Sequence, residues 1–315
     1  MTDEQTAKSR SVGWRRVGAF VIDSVVVGLI GVVPGFAAFD AMARMGEWAR
    51  LIGLAIAVVY FGLFATRLGG GRTPGQRALG LKVVGRDGQP PGPARAALRA
   101  AILAAPFVLN GVSLNGTEGG VLAIAVAMIA GALLFGLGLA QLYLLLFNGP
   151  ERRLAHDLVT RTAVVAADRT EPLGPARKLP VRIAAGIFAV VFMLLVGVSV
   201  YFEANTTVLA ASRDRLSKVE RLQEVMSATA GENTTAAATL QTGTTVTHAV
   251  FVAARLNRWP KDPNAEVRRL AQAALAAAPL ASGQRLFVSF TYGFSIGFGS
   301  GWRSYGRAVD TPPAT

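Results

Sequence analysis

The sequence predicts a mainly α-helical, polytopic membrane protein with a small α+β domain following its last membrane span. Of its 315 residues, 52% are hydrophobic, and the mean hydropathy of +0.42 is high for a soluble chain. The excess is gathered into five runs, at 17–39, 51–66, 100–114, 121–147 and 183–202, near the ~20 residues that cross a bilayer. Lys and Arg fall unevenly between these runs, as they do when cytoplasmic loops retain positive charge.

The first run follows Lys8, Arg10, Arg15 and Arg16, which places the N-terminus in the cytoplasm. At 23 residues, with further spans behind it, this run reads as a retained helix rather than a cleaved signal. The second run reaches spanning length if it starts near residue 48, giving a span at 48–66. The third is short, and parity decides it. The stretches 67–99 and 148–182 each hold seven basic residues, whereas 40–50 holds two and 115–120 none. Two cytoplasmic loops are separated by an even number of spans, so 97–114 and 121–147 both cross. A cytoplasmic linker at 167–182 then leads into the fifth helix, 183–202, and residues 203–315 are left outside. The twelve basic residues of that last region do not oppose this, because long domains translocate largely regardless of charge.

Composition also narrows the function. The net charge of +13 is loop charge held against the cytoplasmic face, and no nucleic-acid partner is expected. There is no cysteine, which excludes disulfides and thiolate chemistry. The two histidines, His156 and His248, are too few for a His-rich metal site, and no cofactor is expected. No catalytic motif and no carboxylate pair within a span is found, so the chain is expected not to be an enzyme.

Three passages carry a family likeness: WRRVGAFVIDSVVV at 14–27, GGGRTPGQRALGLKVVGRDGQ at 69–89 and RRLAHDLVTRTAVV at 152–165. In this order and spacing, residues 10–166 resemble the RDD family of bacterial membrane proteins, named for an arginine and two aspartates. Arg16, Asp23 and Asp157 match that arginine and those aspartates. The resemblance implies a four-helix membrane domain at 17–166 in the bacterial inner membrane, and a link to ion or solute transport that some members are suspected to have. It names no substrate and does not reach the C-terminal region.

Asp23 stands in apolar sequence, where a carboxylate costs a few kcal/mol unless it faces the bundle interior and has a partner. It is either a proton- or cation-handling group or the partner of an arginine that fixes helix packing. The second reading is preferred, because basic residues abound at the nearby interface. Residues 69–89 lack the phosphate-loop pattern and read as a tight turn, a β-segment at 79–84 and an RDG turn at 86–88. His156 and Asp157, beside Arg152, Arg153 and Arg161, read as an electrostatic latch, since adjacent residues point apart. Gln141 is the main polar group within the later spans.

In the exterior domain, 203–229 reads as an amphipathic helix, 230–247 as a loose connection, and 247–259 and 265–278 as two helices, the second capped by Asn264. From Leu286 to Phe298, alternate positions are large and apolar, which predicts a strand or a hairpin bent at a glycine. The leading functional expectation is transport of an ion or small solute with the lipid bilayer as surroundings. The alternative is a membrane-anchored assembly or sensing protein whose exterior domain binds a protein partner or ligand. Oligomeric state is not legible in the sequence.

Overall fold

The computed structural model describes residues 3–110, 129–149, 151–170, 172–175, 178–204, 206–239, 243–281 and 283–309. Helix α1 (Asp3–Ala37) leads through a short α2 (Phe39–Arg44) and a 3₁₀ turn into α3 (Ala49–Ala65). A single capped turn, α4 (Pro74–Ala78), precedes β1 (Leu81–Gly85) and α5 (Pro93–Leu109). After a π-turn at Ala132–Gly136 come α6 (Leu137–Phe147), α7 (Ala155–Thr160) and β2 (Thr162–Ala166). Helix α8 (Lys178–Ala204) is followed in sequence by α9 (Thr206–Glu220).

Four described helices are long and apolar enough to cross a membrane: Val12–Ala37, Gly46–Ala65, Ile129–Phe147 and Lys178–Val198. The span expected at 97–114 is present as α5, but its 17 residues fall short, and 111–128 lie outside the described residues. Even so, α5 runs the length of its antiparallel neighbour α3. Its N-terminal end packs against Gly62, and at its other end the Val108 carbonyl accepts from Arg50.

The two basic loops meet in a two-stranded antiparallel sheet, with Leu81 opposite Ala166 and Gly85 opposite Thr162. Two strands that exchange backbone hydrogen bonds lie on one side of the bundle, so the chain between them returns to the side it left. Buried Leu81, Val83 and Val164 pack this sheet against Ala19, Ala65 and Ala96 of the helices.

At the other end stands a four-stranded sheet, β3 (Val225–Thr239), β4 (Gly243–Leu256), β5 (Gln284–Ser295) and β6 (Ser300–Val309), in that order. Two antiparallel hairpins are joined by a parallel β4–β5 pairing, and α10 (Pro263–Ala277) makes the crossover. The period-two pattern of 286–298 emerges as strand up to Ser295 and as the hairpin turn beyond it: Leu286, Val288 and Phe290 are buried against α10, with Val219 of α9 in the same core. Four local readings are corrected. Helix α9 ends at Glu220, and the Thr/Ala-rich stretch and the expected helix at 247–259 are the paired strands β3 and β4. Their alternate β-branched residues, such as Val250 and Val252, suit a half-buried strand better than a helix. The cap of α10 is Asp262 rather than Asn264, its carboxylate accepting from the amides of Asn264 and Ala265.

The turn of the β5–β6 hairpin does not stay with its sheet. Phe294 and Ile296, both fully buried, pack with Met42 and Ala49, and Phe298 stacks on Phe107 at 5.0 Å and lies against Phe61. The tip thus inserts between α1, α3 and α5. Glycines make the room: a Cβ at Gly53 would lie 1.8 Å from the Ile296 carbonyl oxygen, and one at Gly28 2.9 Å from that of Phe298. Gly297 turns the tip with φ of +86°, a conformation that favours glycine.

Candidate functional site

Polar side chains gather where α1, α5, α6 and α7 meet beside the two-stranded sheet. Asp157 is fully buried and accepts from Arg16 through one oxygen and from Arg99, at 3.1 Å, through the other. It also receives the amide of Leu154, which curls the start of α7 back on itself. Arg16 reaches on to the carbonyl of Arg152 at 2.7 Å. The latch therefore joins α1, α5 and α7. His156 and Asp157 do not point apart: both face Arg99, because α7 is a single short turn that presents them to the same guanidinium.

Arg99 also fixes the state of His156. A guanidinium only donates, so His156 Nε2, 3.3 Å from Arg99 Nη2, holds a lone pair. The ring hydrogen is then on Nδ1 and is donated to Gln141 Oε1 at 3.0 Å. Burial disfavours the charged imidazole and pushes the His156 pKa down to about 3. Burial alone would raise the Asp157 carboxyl, but the charges of Arg16 and Arg99 outweigh it and hold Asp157 well below the usual carboxylate range.

Asp23 departs from the expectation of an arginine partner. Its oxygens accept from Tyr60 at 2.9 Å, Thr73 at 2.5 Å and the Gly75 amide at 2.8 Å. The aspartate pins the start of α4 to α1. Thr73 caps α4 and Gln76 returns the bond, so the tight turn expected here is built as a capping box. Arg153 lies apart from this group, bound to Glu151 and to the Gly174 carbonyl.

A cavity of about 270 Å³ opens beside the cluster. Arg16, Asp23, Gln76, Arg99, Gln141 and His156 line it together with apolar groups such as Phe20, Phe61 and Phe107. Of the sequence candidates, Arg16, Asp23, Gln141 and His156 come together on this cavity, Asp157 stands directly behind it, and Arg153 does not reach it. Arg99 and Gln76 were missed. Arg99 looked like one more loop charge, while the Thr-Pro-Gly-Gln cap signal could have exposed the Gln76 position. Among the described residues no group of three or more metal-ligating side chains occurs.

Residues 11–161 match the model of the RDD family, and the C-terminal region matches no family model. No curated protein and no solved structure matches the chain. Arg16 and Asp157, joined in one buried pair, and Asp23 on the same cavity all lie within residues 11–161, the part of this multi-pass membrane protein that is similar to the RDD family.

Proposed function

We propose that this chain is a non-enzymatic, five-span protein of the bacterial inner membrane that carries an ion or small solute through the cavity between α1, α5 and α6. The N-terminus and the two-stranded sheet lie in the cytoplasm, and the four-stranded sheet lies outside. One observation supports this reading best: polar side chains from α1, α4, α5 and α6 converge on a cavity whose aromatic wall, Phe61 and Phe107, is backed by Phe298 of the hairpin. A carrier needs such a convergence from several segments and a barrier able to move. The hairpin tip is that barrier on the outer side, and Asp23 is a positioning group rather than the carrier of a proton.

The test uses the absence of native cysteine. Gly138 lines the cavity and a Cβ there meets nothing within 4 Å, so Gly138→Cys adds a reporter thiol. A charged, membrane-impermeant thiol reagent applied to either face of oriented vesicles is expected to label it from both. Tying the tip to α1 with G31C and I296C is expected to stop labelling from outside only. A Cβ at Gly31 meets Ile296 Cδ1 at 2.1 Å, an atom that the Ile296→Cys change removes. Labelling from one face alone refutes transport.

That outcome favours a second reading, a sensing or assembly protein. Its support is the sheet face opposite α10, where Phe251, Phe287 and Trp302 stand exposed. Binding there would pass through the hairpin into α1 and α3.

A further inference from the structure

The hydrogen-bond directions around the cavity fix what it offers a ligand. His156 donates to Gln141 Oε1, so the Gln141 amide group presents Nε2. The Thr73 amide donates to Gln76 Oε1, so Gln76 likewise presents Nε2. Arg99 spends Nε on Asp157 and Nη2 on His156, which leaves Nη1 without a protein partner among the described residues. Arg99 and Gln76 are each more than nine-tenths buried, and all three residues line the cavity. Three donors on α4, α5 and α6 are therefore open.

Few acceptors answer them. Asp157 alone is shared between Arg16 and Arg99, and the His156 ring is neutral. Asp23 faces the same space but already accepts from Tyr60, Thr73 and Gly75. Arg16 is engaged by Asp157 and the Arg152 carbonyl. Away from this end the walls are Phe20, Phe61, Leu103 and Phe107. The volume lies below the ~300–1,000 Å³ of a drug-sized pocket, which suits a small ligand.

We infer that the cavity binds a small amphipathic anion, with a carboxylate head on Arg99 Nη1, Gln141 Nε2 and Gln76 Nε2 and a short apolar tail against the phenylalanines. This rests on the cavity being the solute site proposed above, but not on transport. A cation would meet three donors, and a plain alcohol would satisfy them with a single oxygen.

Three probes of equal chain length separate these cases: octanoate, 1-octanol and octylamine. Their binding to the full chain in lipid nanodiscs is measured at mildly alkaline pH against empty nanodiscs. Octanoate is expected to bind at least about tenfold more tightly than octanol, and octylammonium not to bind above the lipid background. Gln141→Glu keeps the acceptor for His156 while placing a carboxylate in the cavity, and octanoate binding is expected to fall about tenfold or more. Gly138→Leu fills the space while leaving every polar side chain of the cavity in the sequence and is expected to abolish octanoate binding, with thermal unfolding of both variants checked alongside. Octylammonium binding as well as octanoate, or octanoate binding to the Gly138→Leu protein as to the parent, overturns the inference. Saturable octanoate binding with one-sided labelling of Gly138→Cys would leave the inference standing and remove transport.

Discussion

Replacing Asp157 with Asn changes little in shape and removes one buried negative charge. In the native protein that charge meets two guanidiniums: Arg16, and Arg99 at 3.1 Å. All three groups are buried, and Asp157 stands behind the cavity wall, so water replaces its charge poorly. Taking one partner from a buried ion pair costs about 3–5 kcal/mol, chiefly because the charge left behind stays desolvated. Asn still offers an oxygen to the Leu154 amide, but the two arginines would then face each other across a neutral amide. The lower end of that range, ~3 kcal/mol, multiplies the open population of the α1–α5–α7 junction about 100-fold. Limited proteolysis of α7 and β2 in nanodiscs follows that population when opening is fast against cleavage. Protection of Asp157→Asn within about fivefold of the parent would show that the pair contributes little and that the junction is held by apolar packing. Replacing Arg16 by Met in the same background supplies a double-mutant cycle, and a coupling below ~0.5 kcal/mol would have the same meaning.

His156 makes stability pH-dependent. Its folded pKa lies near 3, below the usual ~6.5, so the unfolded chain takes up a proton that the folded one refuses. Stability should therefore fall by up to ~1.4 kcal/mol per unit as pH drops below ~6.5, with Asp157 adding to the loss only in stronger acid. Thermal unfolding of His156→Gln across this window should show a flatter slope. Thr73→Ala removes the α4 cap and one Asp23 partner and should cost about 1–3 kcal/mol, read by chemical denaturation. Ile296→Ala empties a fully buried site at the hairpin tip and should cost about 2–5 kcal/mol, read from the melting of the sheet domain in the full chain. Gly53→Ala places a Cβ 1.8 Å from the Ile296 carbonyl oxygen and should displace the tip, read as a lower yield of the G31C–I296C crosslink.

The membrane half of the fold was legible because its signals are long. Apolar runs and uneven loop charge place α1, α3 and α6 near their observed positions, and β5 shows in the two-residue alternation from Leu286. Strand β3 was not, because Ala and Thr fill it and carry little pattern until it is paired, whereas β4 reads as a helix although Val246, Val250 and Val252 fall on alternate positions. The partner of Asp23 was hidden for a different reason: Thr73 and Gly75 lie 50 and 52 positions away, and only the folding of the loop brings them beneath α1. Glycines 28, 31 and 35 look in sequence like a helix-packing stripe, and nothing local says that a hairpin rather than a helix lies against them.

That hairpin imposes an order on biosynthesis. Gly31 and Ile296 are in contact, yet 265 residues of synthesis separate them, from 31 to 296. At about 5–20 residues per second, the first helix waits roughly 13 s or more for the loop that fills its notch. Until then α1, α3 and α5 hold an unfilled groove, and the helical bundle reaches its final packing only after the sheet has been made and folded back. A ribosome that stops after residue 277 but before the hairpin tip would release a chain whose described helices are all present and whose core is still incomplete.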